Sequence, residues 1–228
     1  MKLPIIMCTW MRPDGFARVI QQLNEQTFKE FHLYVWNNNF GRSKEFETIA
    51  KAAEFGVTFY HSESNIGGFG RFYSAKSLYE KDKTANACCV FLDDDNVFDK
   101  DAIATLWSER APNTIVSHYG WRFKSAHYYD RYQPEPGESV DYAGTGGMIA
   151  DASIFCKNGL YSCPEQYWAV EDLWLSYCAK THYGYSLIRS AAKMTQKDDN
   201  ASLNYSIAES KIEMLDILVG QMNFKISK

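Results

Sequence analysis

The feature that most constrains the fold is a series of apolar runs in the first half of the chain: "LPIIMCT", "FHLYVWN", "VTFYH" and "NACCVFL". The first is apolar almost throughout, as a strand buried on both faces must be. Stretches of helical period separate the runs. From about Asp14 to Gln26 the chain places Phe16, Val19, Ile20 and Leu23 on one face, and Ser43 to Glu54 also reads as helix. "NIGGFGRF" leads into a third helix ending near Glu80. A β-α-β-α order of this kind implies a parallel sheet with right-handed crossovers.

Sheets of that class bind ligands beyond the carboxyl ends of their strands. Four polar clusters fall there: Thr9-Trp10-Met11-Arg12, Asn37 to Asn39, Ser64 to Arg71, and Asp93 to Asn96. In "FLDDDN" three carboxylates follow a buried run, where like charges repel and a core has no use for them. Strand alternation carried past Leu92 predicts Asp93 and Asp95 on one face and Asp94 on the other. Two carboxylates so spaced offer hard oxygen ligands to Mn²⁺ or Mg²⁺, with water and phosphate oxygens filling other positions. The bland alternative is a solvated turn whose aspartates bond local backbone N–H groups. Glycines 67, 68 and 70 do not have the GxGxxG spacing, which argues against a dinucleotide site. They still let backbone approach a ligand at a helix start, with Arg71 placed to reach a phosphate.

The second half changes character. After a helix near Asp99 to Arg110 come "TIVSHYGWRF" and "AHYYDRYQ", strand-like and aromatic, then a "QPEPGE" loop and a Gly-rich "DYAGTGGMIAD". A helix opens at "VEDLWLSYCAK", "YSLIRSA" reads as a late strand, and "KMTQKDDN" as a polar loop. Leu203, Ile207, Met214, Leu215, Leu218 and Met222 mark a last amphipathic helix. Glu171 and Asp172 stand at a helix start, where the dipole favours carboxylates as mere caps. The bare glycines 144, 146 and 147 before them clear space for a bulky ligand, so the pair could also bind hydroxyls or accept a proton. His118, His127 and His182 are each candidates for a third metal ligand. Trp10 could stack on a base.

Composition removes several classes. A net charge of −4 is unsuited to nucleic acid, which needs a basic patch. No apolar run is long enough to span a membrane, and "MKLPIIMCTW" is too short and too polar-flanked for a secretory signal. Six cysteines without a CxxC pair read as reduced core residues of a cytoplasmic protein, so the sequons at Asn200 and Asn204 carry no weight. Fifteen tyrosines and six tryptophans are a mild hint of carbohydrate, which favours flat apolar surfaces with polar tips. Neither a linker nor an internal repeat is evident, and the chain reads as one α/β domain.

The ordered set "PIIMCTWMRPD", "NIGGFGRF", "FLDDDN", "GTGGMI" and "VEDLWLSYCAK" resembles the GT-A nucleotide-sugar glycosyltransferases over about residues 3 to 190. Among them it is similar to the N-terminal domain of chlorovirus multidomain enzymes that build a capsid-protein glycan. The resemblance implies a mixed, mainly parallel central sheet flanked by helices. It implies a nucleotide-binding half at about 1–98, a sugar and acceptor half at about 99–200, a C-terminal helix at about 201–228, and further domains of a longer polypeptide. Thr9, Trp10, Arg12, Asn37, Asn65, Gly68 and Arg71 would line the nucleotide pocket. Asp93, Asp94 and Asp95 form the DxD segment, with Asp93 and Asp95 on Mn²⁺ or Mg²⁺. Asp172 would be the base of an inverting reaction and Glu171 would orient the donor sugar; in a retaining reaction both would only orient it. The donor implied is a UDP-hexose, of the L-rhamnose or glucose class, and the acceptor a glycan or glycoprotein. Two departures stand out: the usual second-strand Asp is Asn37 or Asn38, and no histidine clearly matches a third metal ligand.

Other classes share some of these features. A nucleotidyltransferase would also use Mg²⁺ and aspartates, but carries its Gly-rich loop after the first strand, where this chain has "TWMRPDG". A haloacid-dehalogenase-like phosphatase begins with its aspartate motif and follows it with Thr or Ser, which Asn96-Val97 does not supply. A non-catalytic carbohydrate-binding module would bind glycan without UDP or metal.

Overall fold

The computed structural model describes residues 2–84, 86–197 and 207–226. The first half runs β1 (Leu3–Thr9), α1 (Pro13–Asn24), β2 (Phe31–Asn37), α2 (Ser43–Ala50), β3 (Gly56–His61), α3 (Phe69–Lys81) and β4 (Cys88–Leu92). Then follow β5 (Asn96–Phe98), α4 (Ala102–Glu109), β6 (Thr114–Ser117), β7 (Gly120–Phe123), β8 (Arg131–Tyr132), β9 (Tyr142–Ala143) and β10 (Met148–Asp151). The chain closes with α5 (Glu171–Tyr177), β11 (Ser186–Arg189), β12 (Met194–Gln196) and α6 (Ala208–Gly220).

The main sheet has the order β11-β6-β10-β4-β1-β2-β3. Pairings β4-β1, β1-β2, β2-β3 and β6-β11 are parallel, as the alternation of strands and helices requires. Strand alternation then sorts the core into two layers. On one side Ile5, Met7, Val90 and Leu92 meet Phe16, Val19, Ile20 and Leu23 of α1. On the other Ile6 and Phe91 meet Phe69 and Phe72 of α3 together with Phe155. Pro13 suits the first turn of α1, where its missing N–H would have no helical partner. Each fully buried apolar side chain of that helix contributes about 1.5–3 kcal/mol, so Ile20→Asp would detach it.

Four local expectations change. The Gly-rich passage contains β10, which lies antiparallel between β4 and β6 and joins the two halves in one sheet. Its four residues are too few to show a period, and Gly147 at φ +88 turns the chain into it. The polar "KMTQ" is not a loop but β12, antiparallel to β5. Of "AHYYDRYQ" only Arg131 and Tyr132 are strand, because Ser125 and His127 close turns on their own side chains. The helix opened by Glu171 ends at Tyr177 and widens into a π turn over Cys178–His182. Leu203 and the sequons at Asn200 and Asn204 lie outside the described residues.

Candidate active site

The carboxyl ends of β1 and β4, the turn before α3 and the start of α5 surround one cleft of about 1060 Å³. Its sheet side holds the acidic triplet. Strand geometry stops at Leu92: the Asn96 N–H donates to the Asp93 carbonyl (3.2 Å) and the Asp93 N–H to Asn96 Oδ1 (2.8 Å), closing a turn. The alternation expected beyond Leu92 therefore does not hold. Asp94 and Asp95 share one guanidinium, with Arg12 Nη1 at 3.1 Å and 3.0 Å, while Asp93 takes Arg71 Nη1 at 2.8 Å. Thr9 Oγ1 donates to Asp94 at 3.5 Å. Burial pushes the Asp94 carboxyl up to about 7 against the pull of Arg12.

The turn before α3 is pinned by Asn38, whose Nδ2 donates to the Gly67 carbonyl (2.9 Å) and whose Oδ1 accepts from the Ile66 N–H (3.1 Å). Asn65 Oδ1 accepts from the Gly67 N–H at 2.9 Å. A Cβ on Gly68 would overlap the Glu171 carboxylate where it now lies, so the bare backbone lets that side chain come against the turn. Thr9, Trp10, Arg12, Asn65, Gly68, Arg71, Asp93, Asp94 and Asp95 all line the cleft. Asn37 does not; its fully buried amide binds the Asn39 carbonyl (2.9 Å) and His61 Nδ1 (3.1 Å). Asn38 takes the lining position instead.

The opposite wall carries Glu171 and Asp172, which point to different partners, as adjacent residues at a helix start must. Glu171 lies 3.7 Å from Arg71 Nε and 3.5 Å from Thr145 Oγ1. Burial raises it to about 7, opposed by Arg71 and reinforced by Asp172 and Asp93. Asp172 accepts the Leu173 N–H at 2.8 Å and the Tyr142 hydroxyl. Burial raises its carboxyl too, and the Tyr142 bond works the other way. Bare glycine backbone separates the two acidic sets. A Cβ on Gly146 would sit 2.5 Å from Asp93 Oδ2, and one on Gly144 3.7 Å from Asp172 Oδ2. The far end is lined by Trp121, Tyr128, Tyr129, Arg131, Tyr142 and Lys211.

Sequence reasoning missed Tyr142, Thr145, Tyr119, Arg131 and Lys211. Tyr142 and Thr145 lie within the Gly-rich passage already singled out, which was a usable signal; Arg131 lies within the aromatic stretch, and nothing marked Lys211. His118 is held by the Ala192 carbonyl at 2.6 Å and His182 by the Tyr177 hydroxyl at 2.8 Å, while His127 Nδ1 accepts the Tyr129 N–H at 3.3 Å. None of the three lines the cleft. Among the described residues no three His, Cys, Asp or Glu side chains converge as a complete metal cage. Asp93 and Asp95 carry the hard oxygen donors that Mg²⁺ takes, and each is paired here with a different arginine, Asp93 with Arg71 and Asp95 with Arg12.

No protein-family model and no curated protein matches the sequence. Solved structures do match. A Pyrobaculum calidifontis mannosyltransferase in complex with GDP-Man and Mn²⁺ aligns over 99% of this chain and 66% of its own, with TM-score 0.68 and 12% identity. Staphylococcus aureus TarS 1-349 in complex with UDP-GlcNAc aligns over 97% of this chain and 67% of its own, with TM-score 0.56 and 14% identity. TarS itself aligns over 96% and 40%, with TM-score 0.56 and 17% identity. This chain has the GT-A fold: a seven-stranded, mostly parallel sheet flanked by helices. It spans between 40% and 67% of the lengths of these three structures. No described helix is long and apolar enough to cross a membrane.

Proposed function

We propose that the chain is a glycosyltransferase that moves a hexose, of the L-rhamnose or glucose class, from a UDP-sugar to a glycan acceptor. The observation that carries this is the pair of acidic sets facing each other across glycine backbone in one cleft. A binding module needs one sugar surface; two carboxylate groups on separate elements suit a leaving group on one side and an attacking hydroxyl on the other. The GT-A fold and the nucleotide-sugar complexes of its structural neighbours support the same reading. By the sequence resemblance, the setting is assembly of a capsid-protein glycan in the cytoplasm, with residues 1–98 serving the nucleotide and 99–200 the sugar and acceptor.

Thr9, Trp10, Asn65 and Gly68 form the nucleotide end. Asp93 and Asp95 would hold Mn²⁺ or Mg²⁺, and Arg12 and Arg71, now paired with the aspartates, stand where they can turn to a diphosphate. A bound cation offsets the charge that the diphosphate gains on leaving, contributing several kcal/mol. Glu171, held by Arg71 and Thr145, orients the donor sugar. Asp172, fixed by Tyr142 and the Leu173 N–H, accepts the proton of the acceptor hydroxyl if the reaction inverts. Calorimetry with UDP, GDP and CMP, each with Mn²⁺ and with chelator, tests the reading. UDP should bind tightest and need Mn²⁺; equal affinity for all three, or none for any, overturns it.

A further inference from the structure

The carboxylates that would hold a cation are engaged by the protein's own guanidiniums. Arg12, in the loop between β1 and α1, sets Nη1 3.1 Å from Asp94 Oδ1 and 3.0 Å from Asp95 Oδ2. Arg71, from the first turn of α3, sets Nη1 2.8 Å from Asp93 Oδ1. Two separate elements therefore clasp the turn after β4. The Arg12 and Asp95 side chains are only 15% and 10% exposed, and that of Arg71 7%, so salt screens these pairs far less than surface ones.

The backbone holds the Arg12 clasp in register. The first turn of α1 lies so close to the aspartates that a Cβ on Gly15 would sit 2.3 Å from the Asp94 carbonyl oxygen. From the other side the Lys197 N–H donates to the Asp95 carbonyl at 2.9 Å, and the Asp93–Asn96 turn fixes the start of the triplet.

A divalent cation approaching Asp95 meets a guanidinium on the same carboxylate, and like charges repel strongly where water is scarce. The repulsion is relieved when another anion takes the guanidinium. A phosphate is the match, since the planar N–H fork grips its oxygens as it grips a carboxylate. Arg12 and Arg71 both line the cleft, alongside Trp10, Asn65 and Gly68.

We infer that Arg12 and Arg71 form an autoinhibitory clasp: they close the aspartates to a cation in the free protein and release them when a donor phosphate takes the guanidiniums, so that cation and donor enter together rather than cation first. The inference rests on the glycosyltransferase reading and adds an order of binding to it.

EPR of free Mn²⁺ in the presence of the full chain tests the clasp. Arg12 is the residue to vary, because Arg71 also lies 3.7 Å from Glu171. Wild type should leave the free-ion signal nearly undiminished. UDP should raise the protein's Mn²⁺ affinity about tenfold or more, beyond what UDP itself takes up, and uridine, which has the base without phosphate, should not. Arg12→Gln should bind Mn²⁺ alone about tenfold or more tighter than wild type, yet bind UDP in chelator more weakly. Loss of fold would not move the two in opposite directions. Arg12→Lys keeps the charge and should resemble wild type toward Mn²⁺ alone. Arg18→Gln is the control, since that guanidinium donates to the Asp94 carbonyl (3.4 Å) rather than to a carboxylate, and it should change neither affinity appreciably. Wild type that binds Mn²⁺ as tightly without nucleotide as with it overturns the inference. So does an equal gain from uridine, or weak Mn²⁺ binding in Arg12→Gln as in wild type. The UDP and uridine arms on the wild type decide whether or not the variant folds. Each of these failures leaves the transferase reading standing while UDP still binds. Failure to bind UDP with or without Mn²⁺ overturns the transferase reading, and the clasp with it.

Discussion

The two sides of the cleft are built differently. The aspartate side hangs from β1 and β4, neighbours at the middle of the main sheet inside a two-layered core, with β1 paired to β2 along its whole length. The opposite side is made of two- and four-residue strands, 3₁₀ turns and the short α5, joined through glycines 144, 146 and 147. On the first side charged groups pair with one another, Arg12 with Asp94 and Asp95, and Arg71 with Asp93. On the second, Asp172 is held by hydrogen bonds from Tyr142 and Leu173. A rigid shelf carrying three carboxylates and two guanidiniums suits grip on a nucleotide diphosphate with its cation. A buried carboxylate held by neutral donors suits proton transfer. Variants on the two sides should therefore fail in different ways.

The largest effect is expected from Asp172→Asn. Losing a general base costs about 10²- to 10⁴-fold in turnover, while Mn²⁺-dependent UDP affinity, measured by calorimetry, stays near wild type. If UDP binding falls along with turnover, the division of labour between the sides is wrong. Next comes Asp95→Asn. It should cost about tenfold or more in Mn²⁺-dependent UDP affinity, with thermal stability nearly unchanged because Arg12 keeps Asp94 at 3.1 Å. An unfolded variant would make Asp95 a structural residue.

The smallest effect lies at the seam, where Glu171 meets Arg71. Its folded-state value of about 7 lies above the usual carboxylate range, so the folded protein holds that proton more tightly than the unfolded chain does. The resulting stability is fully present below the unfolded value and is lost as pH rises through about 7. Asp172 and Asp94 shift in the same direction, so the comparison must be made between variants. Glu171→Gln should match wild type near pH 4.5 and be more stable by about 1–2 kcal/mol at pH 8 in denaturant melts. A wild type whose stability rises between those pH values relative to Glu171→Gln would mean that Arg71 keeps the carboxylate ionised.

The same contrast decides what was legible in the sequence. The runs around Ile5, Leu33 and Val90 announce their strands because burial on both faces leaves an unbroken apolar signature. The strand-end rule then places Thr9, Arg12, Asn65, Arg71 and the aspartates in one cleft. Asn37 and Asn38 are adjacent and chemically identical, so only the backbone direction shows which reaches the cleft. β10 and β12 were hidden because short strands show no period and β12 is polar. Lys211 comes from a segment with no motif and meets Arg131 only through tertiary packing, which a local pattern cannot report. The turn at Asp93 defeats alternation for a similar reason: Asn96, three residues on, closes it with its side chain.

The central claim is that this cleft transfers sugar, and the most direct measurement is time-resolved NMR of the wild type with Mn²⁺, UDP-L-rhamnose or UDP-glucose, and a panel of neutral and acidic glycans. A transferase releases UDP in step with a new anomeric signal, whose configuration against the donor also tells inversion from retention. Inversion supports Asp172 as base, and retention leaves both carboxylates an orienting or covalent role. Intact donors beside bound glycan would contradict the claim and leave a carbohydrate-binding module on a GT-A scaffold.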